Sequence, residues 1–268
     1  MVQTVAQKLD AAAQEYPDKI VMIGTTGAMS WRELDARAAA VAQSLSDQGT
    51  RPGDRLAIAT DSITDTAIGI VAGLKLGAAV TPLNPRLSER DKQAVLDVLK
   101  TARVLEQLPP GEAKFPAVAV EAERPSIILF TSGSTGVPKG VVLSQQAVAA
   151  GMDLWIGAAL QLCGDDRVIS VLPLAHSYGL FGTFLAPLLV GATSILVPHF
   201  SPEDVLAAVD RHKATIFPGV ATMFRRILDS GDPTNAAWSS LRFCTSGAAP
   251  CPWELAEEWR VATGVRIV

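Results

Sequence analysis

The 268-residue chain is 49% hydrophobic and 19% charged, enough apolar material for a large core and too much for a disordered polypeptide. Compact domains usually hold about 100–200 residues, so this length fits one large unit or two lobes. Lys plus Arg total 23 against 27 Asp plus Glu, a formal net charge of −4 with no like-charged block, which argues against a nucleic-acid or anionic-membrane surface.

Residues 1–18 have an amphipathic helical pattern carrying Asp and Glu, unlike a secretory signal. Helical periodicity predicts helices at 4–15, 31–48, 63–76, 88–100, 144–161, 178–190, 202–212, 220–229 and 252–262. Short β-type runs fall at 20–23, 55–59, 78–81, 117–120, 126–131, 140–143, 167–171, 193–197, 215–217, 241–245 and 265–268. Helix starts are marked by Ser30 with Glu33, by Ser88, and by Ser201-Pro202-Glu203-Asp204. Strand–helix alternation predicts an α/β fold, a mainly parallel sheet with helices on both faces. The Pro/Gly-bearing stretch near 101–116 is the expected joint between a first α/β subdomain, 1–105, and a second, 106–268. Gly179 to Val197 is a mostly apolar run of 19 residues, close to the length of a membrane span. Gly182, Pro187, Gly191, Thr193 and Ser194 interrupt it, so a helix followed by a buried parallel strand is expected instead.

Cys163, Cys244 and Cys251 form no CxxC, and His176, His199 and His212 have no zinc spacing, so no protein metal site is expected and the chain reads as cytoplasmic. The dense polar segment is Thr131-Ser132-Gly133-Ser134-Thr135-Gly136-Val137-Pro138-Lys139-Gly140, set between two strand patterns. Hydroxyls, glycine backbone amides and an ammonium are what a polyphosphate requires. The alternative is a solvated hairpin tip, since the same residues make ordinary turns. The segment is not a Walker A loop, which needs a Gly-Lys-Ser/Thr run leading into a helix.

TSGSTGVPKGVVLS resembles the phosphate-binding signature of the adenylate-forming enzymes: acyl-CoA synthetases, aryl-CoA ligases, luciferases and peptide-synthetase adenylation domains. MSWRELDARAAAVAQSL, LKLGAAVTPLNP, LPLAHSYGL, FPGVATMF and CTSGAAP resemble further motifs of that family in its order. The resemblance implies the large N-terminal domain of such an enzyme. It also implies ATP-dependent activation of a carboxylic acid to an acyl-adenylate with release of pyrophosphate, then transfer to CoA or a carrier-protein thiol, with Mg²⁺ as a cofactor. On that likeness Thr131, Ser132, Gly133, Ser134, Thr135 and Gly136 hold phosphates, and Lys139 neutralises the departing pyrophosphate. Gly247, Ala248, Ala249 and Pro250 lie along adenine, and His176, Tyr178, Gly179 and Gly219 belong to the acid pocket. His176 suits gating and positioning better than proton abstraction, because a carboxylate substrate is already ionised. Trp155, Phe217 and Met223 could border the same pocket, although core packing is the default for such residues.

Amino-acid-activating relatives place an aspartate at the start of the LPLAHSYGL motif. Ala175-His176-Ser177-Tyr178 offers no carboxylate there, which implies an acid without an α-amino group. The chain departs from the family in two ways. The stretch from Asn84-Pro85 to Thr131 is short, and the sequence stops at VRIV, where a Tyr-Gly-x-Thr-Glu motif with its magnesium-binding glutamate is expected. The ribose-binding aspartate, the hinge and the mobile C-terminal domain with its lysine do not follow. The isolated chain is therefore expected to be catalytically incomplete. The competing function is a non-catalytic nucleotide-binding or scaffold module on the same fold.

Overall fold

Helix starts follow the hydroxyl caps. In the computed structural model, which describes residues 3–100, 103–131, 137–231 and 236–268, Thr4 and Ser30 form capping boxes with Gln7 and Glu33 at the heads of α1 (Val5–Glu15) and α2 (Trp31–Asp47). Ser62, Ser88, Ser144 and Ser201 each accept the amide three residues on, opening α3 (Ile63–Leu76), α4 (Glu89–Leu99), α5 (Gln145–Leu154) and α7 (Pro202–His212). The short α6 (Ala186–Leu189), then α8 (Ala221–Asp229) and α9 (Trp253–Thr263), complete the helices used below.

Two mixed sheets organise the chain. The first runs β11 (Phe243–Ser246), β10 (Ile216–Gly219), β8 (Arg167–Ser170), β9 (Thr193–Leu196), β1 (Ile20–Gly24), β2 (Gly27–Ser30). The second runs β5 (Arg103–Leu105), β3 (Arg55–Ile58), β4 (Ala79–Pro82), β6 (Pro125–Thr131), β7 (Lys139–Ser144). All neighbours are parallel except the hairpins β1–β2 and β6–β7, each of which supplies one antiparallel edge. Sheet membership departs from chain order: β1 lies beside β9, with Met22 opposite Ser194, while β5 and β6, on either side of residue 105, share the second sheet.

The α3 helix is buried almost all round, as its apolar sequence requires. Gly73 lets it approach β4, since a Cβ there would lie 2.5 Å from the Val80 side chain. At its C-terminal end, Lys75 is 3% exposed and donates to Asp10 and Asp35, each at 2.7 Å. Asp10 also accepts the amide of Ala117 at 3.1 Å, and the Lys75 carbonyl accepts that of Val118. Residues 117–120, expected as a strand, are instead a strap held by these two bonds, with no partner strand.

Other departures are local. The expected helix 144–161 changes to π-helical winding over Trp155–Ala159, and the expected helix 178–190 is π-helical over Tyr178–Leu185 before α6. Strand 265–268 reduces to a single parallel bridge, Cys244 to Ile267. The apolar run from Gly179 to Val197 resolves into that π-helical segment, α6 and the buried β9. Among the described residues no helix is long and apolar enough to cross a membrane.

Candidate functional site

Parallel strands place their following loops at one edge, and in open α/β sheets that edge is where ligands bind. Here β8 runs out into Val171–Tyr178, β10 ends on Gly219, and β11 continues into Gly247–Pro250. The segments LPLAHSYGL, FPGVATMF and CTSGAAP are thereby brought to the same edge of the first sheet. LPLAHSYGL and CTSGAAP border a cleft of about 760 Å³, within the range of small-molecule sites, whereas FPGVATMF does not reach its lining and contributes Met223 to a smaller cavity. One side is the π-helical segment with Trp155, Ala158 and Ala159; the other is β11 with Phe243 and Thr245. π-Helical turns are uncommon and gather at functional sites, and two of them meet at this cleft.

Tyr178 organises the cleft wall. Its ring stacks on Trp155 with centroids 5.5 Å apart and planes 17° from parallel. Its hydroxyl lies 2.7 Å from Thr245 Oγ1 and donates to the Thr245 carbonyl at 3.1 Å. Burial pushes the phenol up to about 12. Two glycines admit this pair of rings: a Cβ on Gly247 would come within 2.6 Å of Tyr178, and one on Gly182 within 2.9 Å of Trp155. The Gly247 amide donates to the Gly219 carbonyl at 3.2 Å, tying the loop to β10. Ala248 then takes φ +65°, a left-handed conformation costly for a residue with a Cβ. Ala248, Ala249 and Pro250 are exposed, so the loop presents a low ledge of backbone and small side chains.

The remaining predicted residues divide. His176 is exposed, between Leu172–Ala175, which line a smaller cavity of about 180 Å³, and Ser177–Tyr178 on the main cleft. Gly179 is buried against the carbonyls of Leu172 and Pro173 and is absent from the cleft lining. Gly219 is also buried, with Phe224 packed over it. Thr131 and Lys139 face each other across the β6–β7 hairpin, both exposed, with the Thr131 hydroxyl 3.5 Å from the Lys139 carbonyl. Ser132, Gly133, Ser134, Thr135 and Gly136, between them, lie outside the described residues. Phe217 packs in the core against Phe224, and Met223 borders the smaller cavity.

Sequence reasoning missed the arginines of the cleft, Arg242 and Arg266, and the Thr245 hydroxyl that fixes Tyr178. Arg242 is held by Asp166, with Nη1 2.7 Å from both carboxylate oxygens. Burial pushes the Asp166 carboxyl up, but bonds from Arg242, the Thr215 hydroxyl and the Cys163 amide outweigh it and hold the group below its ordinary value.

A nucleotide fits what is described. The Gly247–Pro250 ledge is flat enough for a base, and the buried Ser246 hydroxyl on the cleft wall has no hydrogen-bond partner among the described residues. A magnesium seat does not follow, because among the described residues no group of three or more His, Cys, Asp or Glu could hold a metal ion.

The chain resembles known proteins in sequence and fold. The sequence is 29% identical over 312 residues to a 3-[(3aS,4S,7aS)-7a-methyl-1,5-dioxo-octahydro-1H-inden-4-yl]propanoyl:CoA ligase of Mycobacterium tuberculosis, covering 100% of this chain and 61% of that protein. It is 31% identical over 259 residues to a feruloyl-CoA synthase of Amycolatopsis sp., covering 87% of this chain and 52% of that protein. The fold superposes on the ATP-bound crystal structure of MatB from Rhodopseudomonas palustris with a TM-score of 0.87 at 25% identity, covering 100% of this chain and 59% of that one. It also superposes on the N-terminal domain of FACL13 from Mycobacterium tuberculosis with a TM-score of 0.89 at 21% identity, covering 99% of this chain and 74% of that one, a likeness of fold. The chain thus spans between half and two thirds of the length of the ligases it matches. The AMP-binding enzyme family matches at residues 9–113 and 90–268, and the chain belongs to that family.

Proposed function

We propose that this polypeptide carries the nucleotide and acid sites of a cytoplasmic ligase that converts a carboxylic acid and ATP to an acyl-adenylate and pyrophosphate, and then passes the acyl group to a thiol, most simply that of CoA. The convergence of two motif segments, LPLAHSYGL and CTSGAAP, around the Trp155–Tyr178 cleft, with FPGVATMF ending at the same strand edge, supports this function. Adenine lies on Gly247–Pro250. The triphosphate extends to the β6–β7 hairpin, where Thr131 donates a hydrogen bond and Lys139 offsets charge on the leaving pyrophosphate. The residues between them, Ser132 to Gly136, cradle the phosphates through hydroxyls and backbone amides. The acid occupies the cleft, its ionised carboxylate aimed at the α-phosphorus, and positioning supplies most of the acceleration.

His176, exposed and lying in sequence between the residues that line the two cavities, is a gate and positioning residue. No Asp or Glu lines the cleft among the described residues, so a substrate ammonium would have no counter-ion there, in keeping with an acid that lacks an α-amino group. The absence of a carboxylate cluster means that magnesium enters with the nucleotide or is held by residues other than those described. The free thiols of Cys163, Cys244 and Cys251 suit a reducing compartment.

The test has two arms. Calorimetric titration of the 268-residue chain with ATP is expected to show binding that Lys139→Ala weakens. Acid-dependent exchange of labelled pyrophosphate into ATP, over aryl and aliphatic acids, is expected from a polypeptide that also contains the family's glutamate and C-terminal lysine, but not from these residues alone. ATP binding with no exchange from the longer polypeptide would establish the scaffold function instead. No ATP binding by either would refute both.

A further inference from the structure

Two buried hydroxyls tie the π-helical segment Tyr178–Leu185 to the end of β8. The head of the segment is ordinary, with the Leu180 amide donating to the His176 carbonyl at 2.9 Å, four residues back. At its tail the Ala186 amide donates to the Phe181 carbonyl, five residues back. Between them Thr183 Oγ1 donates to the Gly179 carbonyl at 2.7 Å and lies 2.7 Å from Ser170 Oγ. A threonine hydroxyl has one proton, here given to Gly179, so Ser170 is the donor to Thr183. Both residues are fully buried, and neither lines the cleft.

Leu180, Phe184 and Leu185 of the same segment are equally buried, so these hydroxyls have no water to fall back on. They satisfy each other in one register of the segment against β8, and a fully paired buried network of this kind specifies a single arrangement. An α-helical turn holds 3.6 residues and a π turn more, so relaxation to α winding would rotate the head of the segment by about 100° against its tail. Tyr178 stands at that head. The rotation would take its ring off Trp155 and its hydroxyl away from Thr245. The fit is close at the next residue too, since a Cβ on Gly179 would lie 2.3 Å from the Pro173 carbonyl oxygen.

Resting on the assignment of this cleft to the acid, we propose that Ser170 and Thr183 are positioning residues of the acid site: their hydroxyl pair holds the π-helical winding that keeps Tyr178 in the cleft wall. They act only through the placement of that ring.

Tyr16→Phe leaves Tyr178 as the one tyrosine of the 268-residue chain, and tetranitromethane, which nitrates the phenolate, then reports its placement. Burial pushes that phenol up to about 12, so nitration in the Tyr16→Phe background is expected to be slow. Thr183→Val keeps the side-chain shape without the hydroxyl. It and Ser170→Ala should each speed nitration about tenfold, the effect of ionisation one pH unit lower. Thr183→Ser should restore the slow rate. Lys75→Met weakens a distant ion pair and should leave the rate unchanged, which separates placement of the ring from general loosening. In a longer polypeptide that carries out acid-dependent pyrophosphate exchange, Thr183→Val should raise KM for the acid about fivefold, the scale of one hydrogen bond, with kcat little changed. Equal nitration rates across the series, or Thr183→Ser as fast as Thr183→Val, would overturn the positioning role. Faster nitration with an unmoved acid KM would overturn its link to the acid. No exchange from the longer wild-type polypeptide would overturn the ligase assignment alone, with nitration still deciding whether the pair places Tyr178.

Discussion

Adding one methyl group at Gly247 should unsettle the whole cleft wall. A Cβ at that position would lie 2.6 Å from Tyr178 Cε1, 3.0 Å from Cδ1 and 3.1 Å from Cζ. Ordinary carbon contacts begin near 3.5 Å, so the ring must retreat by about 1 Å. It cannot retreat freely. Trp155 is stacked behind it with centroids 5.5 Å apart, and Gly182 already leaves no room behind the indole. Either the Thr245 bonds to the phenol break, at about 0.5–1.5 kcal/mol each, or the stack opens, at about 0.5–1.5 kcal/mol. With the usual overpacking penalty of about 1–3 kcal/mol as the independent check, Gly247→Ala should cost about 2 kcal/mol. Urea unfolding of the wild type, Gly247→Ala, Tyr178→Ala and the double variant measures it. With the ring removed the three nearest contacts of the added methyl are gone, so the Gly247→Ala cost should fall below about 0.5 kcal/mol, a coupling of about 1.5–2 kcal/mol. The same cost in both backgrounds would refute the stacked arrangement.

Other outcomes follow from the same structure. Tyr16 and Tyr178 are the two tyrosines of the chain, so a Tyr16→Phe variant leaves one phenol to follow by ultraviolet absorbance. It should ionise near 12, and stability contributed by the buried neutral form, full below the ordinary value near 10, should be lost as pH rises through 12; ionisation near 10 would refute its burial. Replacing Lys75 by Met leaves Asp10 and Asp35 without their shared cation, and urea unfolding should show a loss of about 2–3 kcal/mol, below the usual cost for a buried pair because both carboxylates keep some water. Ala248→Gly should raise stability by about 0.5–1 kcal/mol, relief of the left-handed backbone exceeding the entropy of a freer unfolded chain, and a loss of stability would show that the Ala248 methyl packs usefully.

The sequence was most informative where local chemistry decides structure. Ser30, Ser88 and Ser201 mark helix starts because an orphan amide needs an acceptor close in the chain, and each does so in the structure. The apolar run after Ser177 is legible as helix then buried strand because Gly191 and the β-branched residues that follow break its period. Long-range geometry left no such mark. Nothing near Met22 indicates that β1 will lie beside Ser194, and periodicity does not encode the π-helical winding at Trp155 and Tyr178, whose rings stack on each other. Of the candidate site, the ledge at Gly247–Pro250 and the hairpin ends Thr131 and Lys139 are proposed from a family resemblance alone. Arg266 is not among them, because an arginine has no signature until the fold brings it to a cleft. Residues 117–120 have a strand-like sequence, yet the amides of Ala117 and Val118 are taken by Asp10 and Lys75.

The pairing of β1 with β9 sets an order of events during synthesis. The strands β3, β4 and β5 leave the ribosome close together and can associate early. The amino-terminal hairpin cannot be seated until β9 has been translated, most of the chain later. Until then its apolar residues Val21 and Met22, sealed from water in the finished protein, remain open to chaperones and to other nascent chains. Production of this polypeptide should therefore depend on elongation speed and chaperone supply more than its final stability alone would suggest.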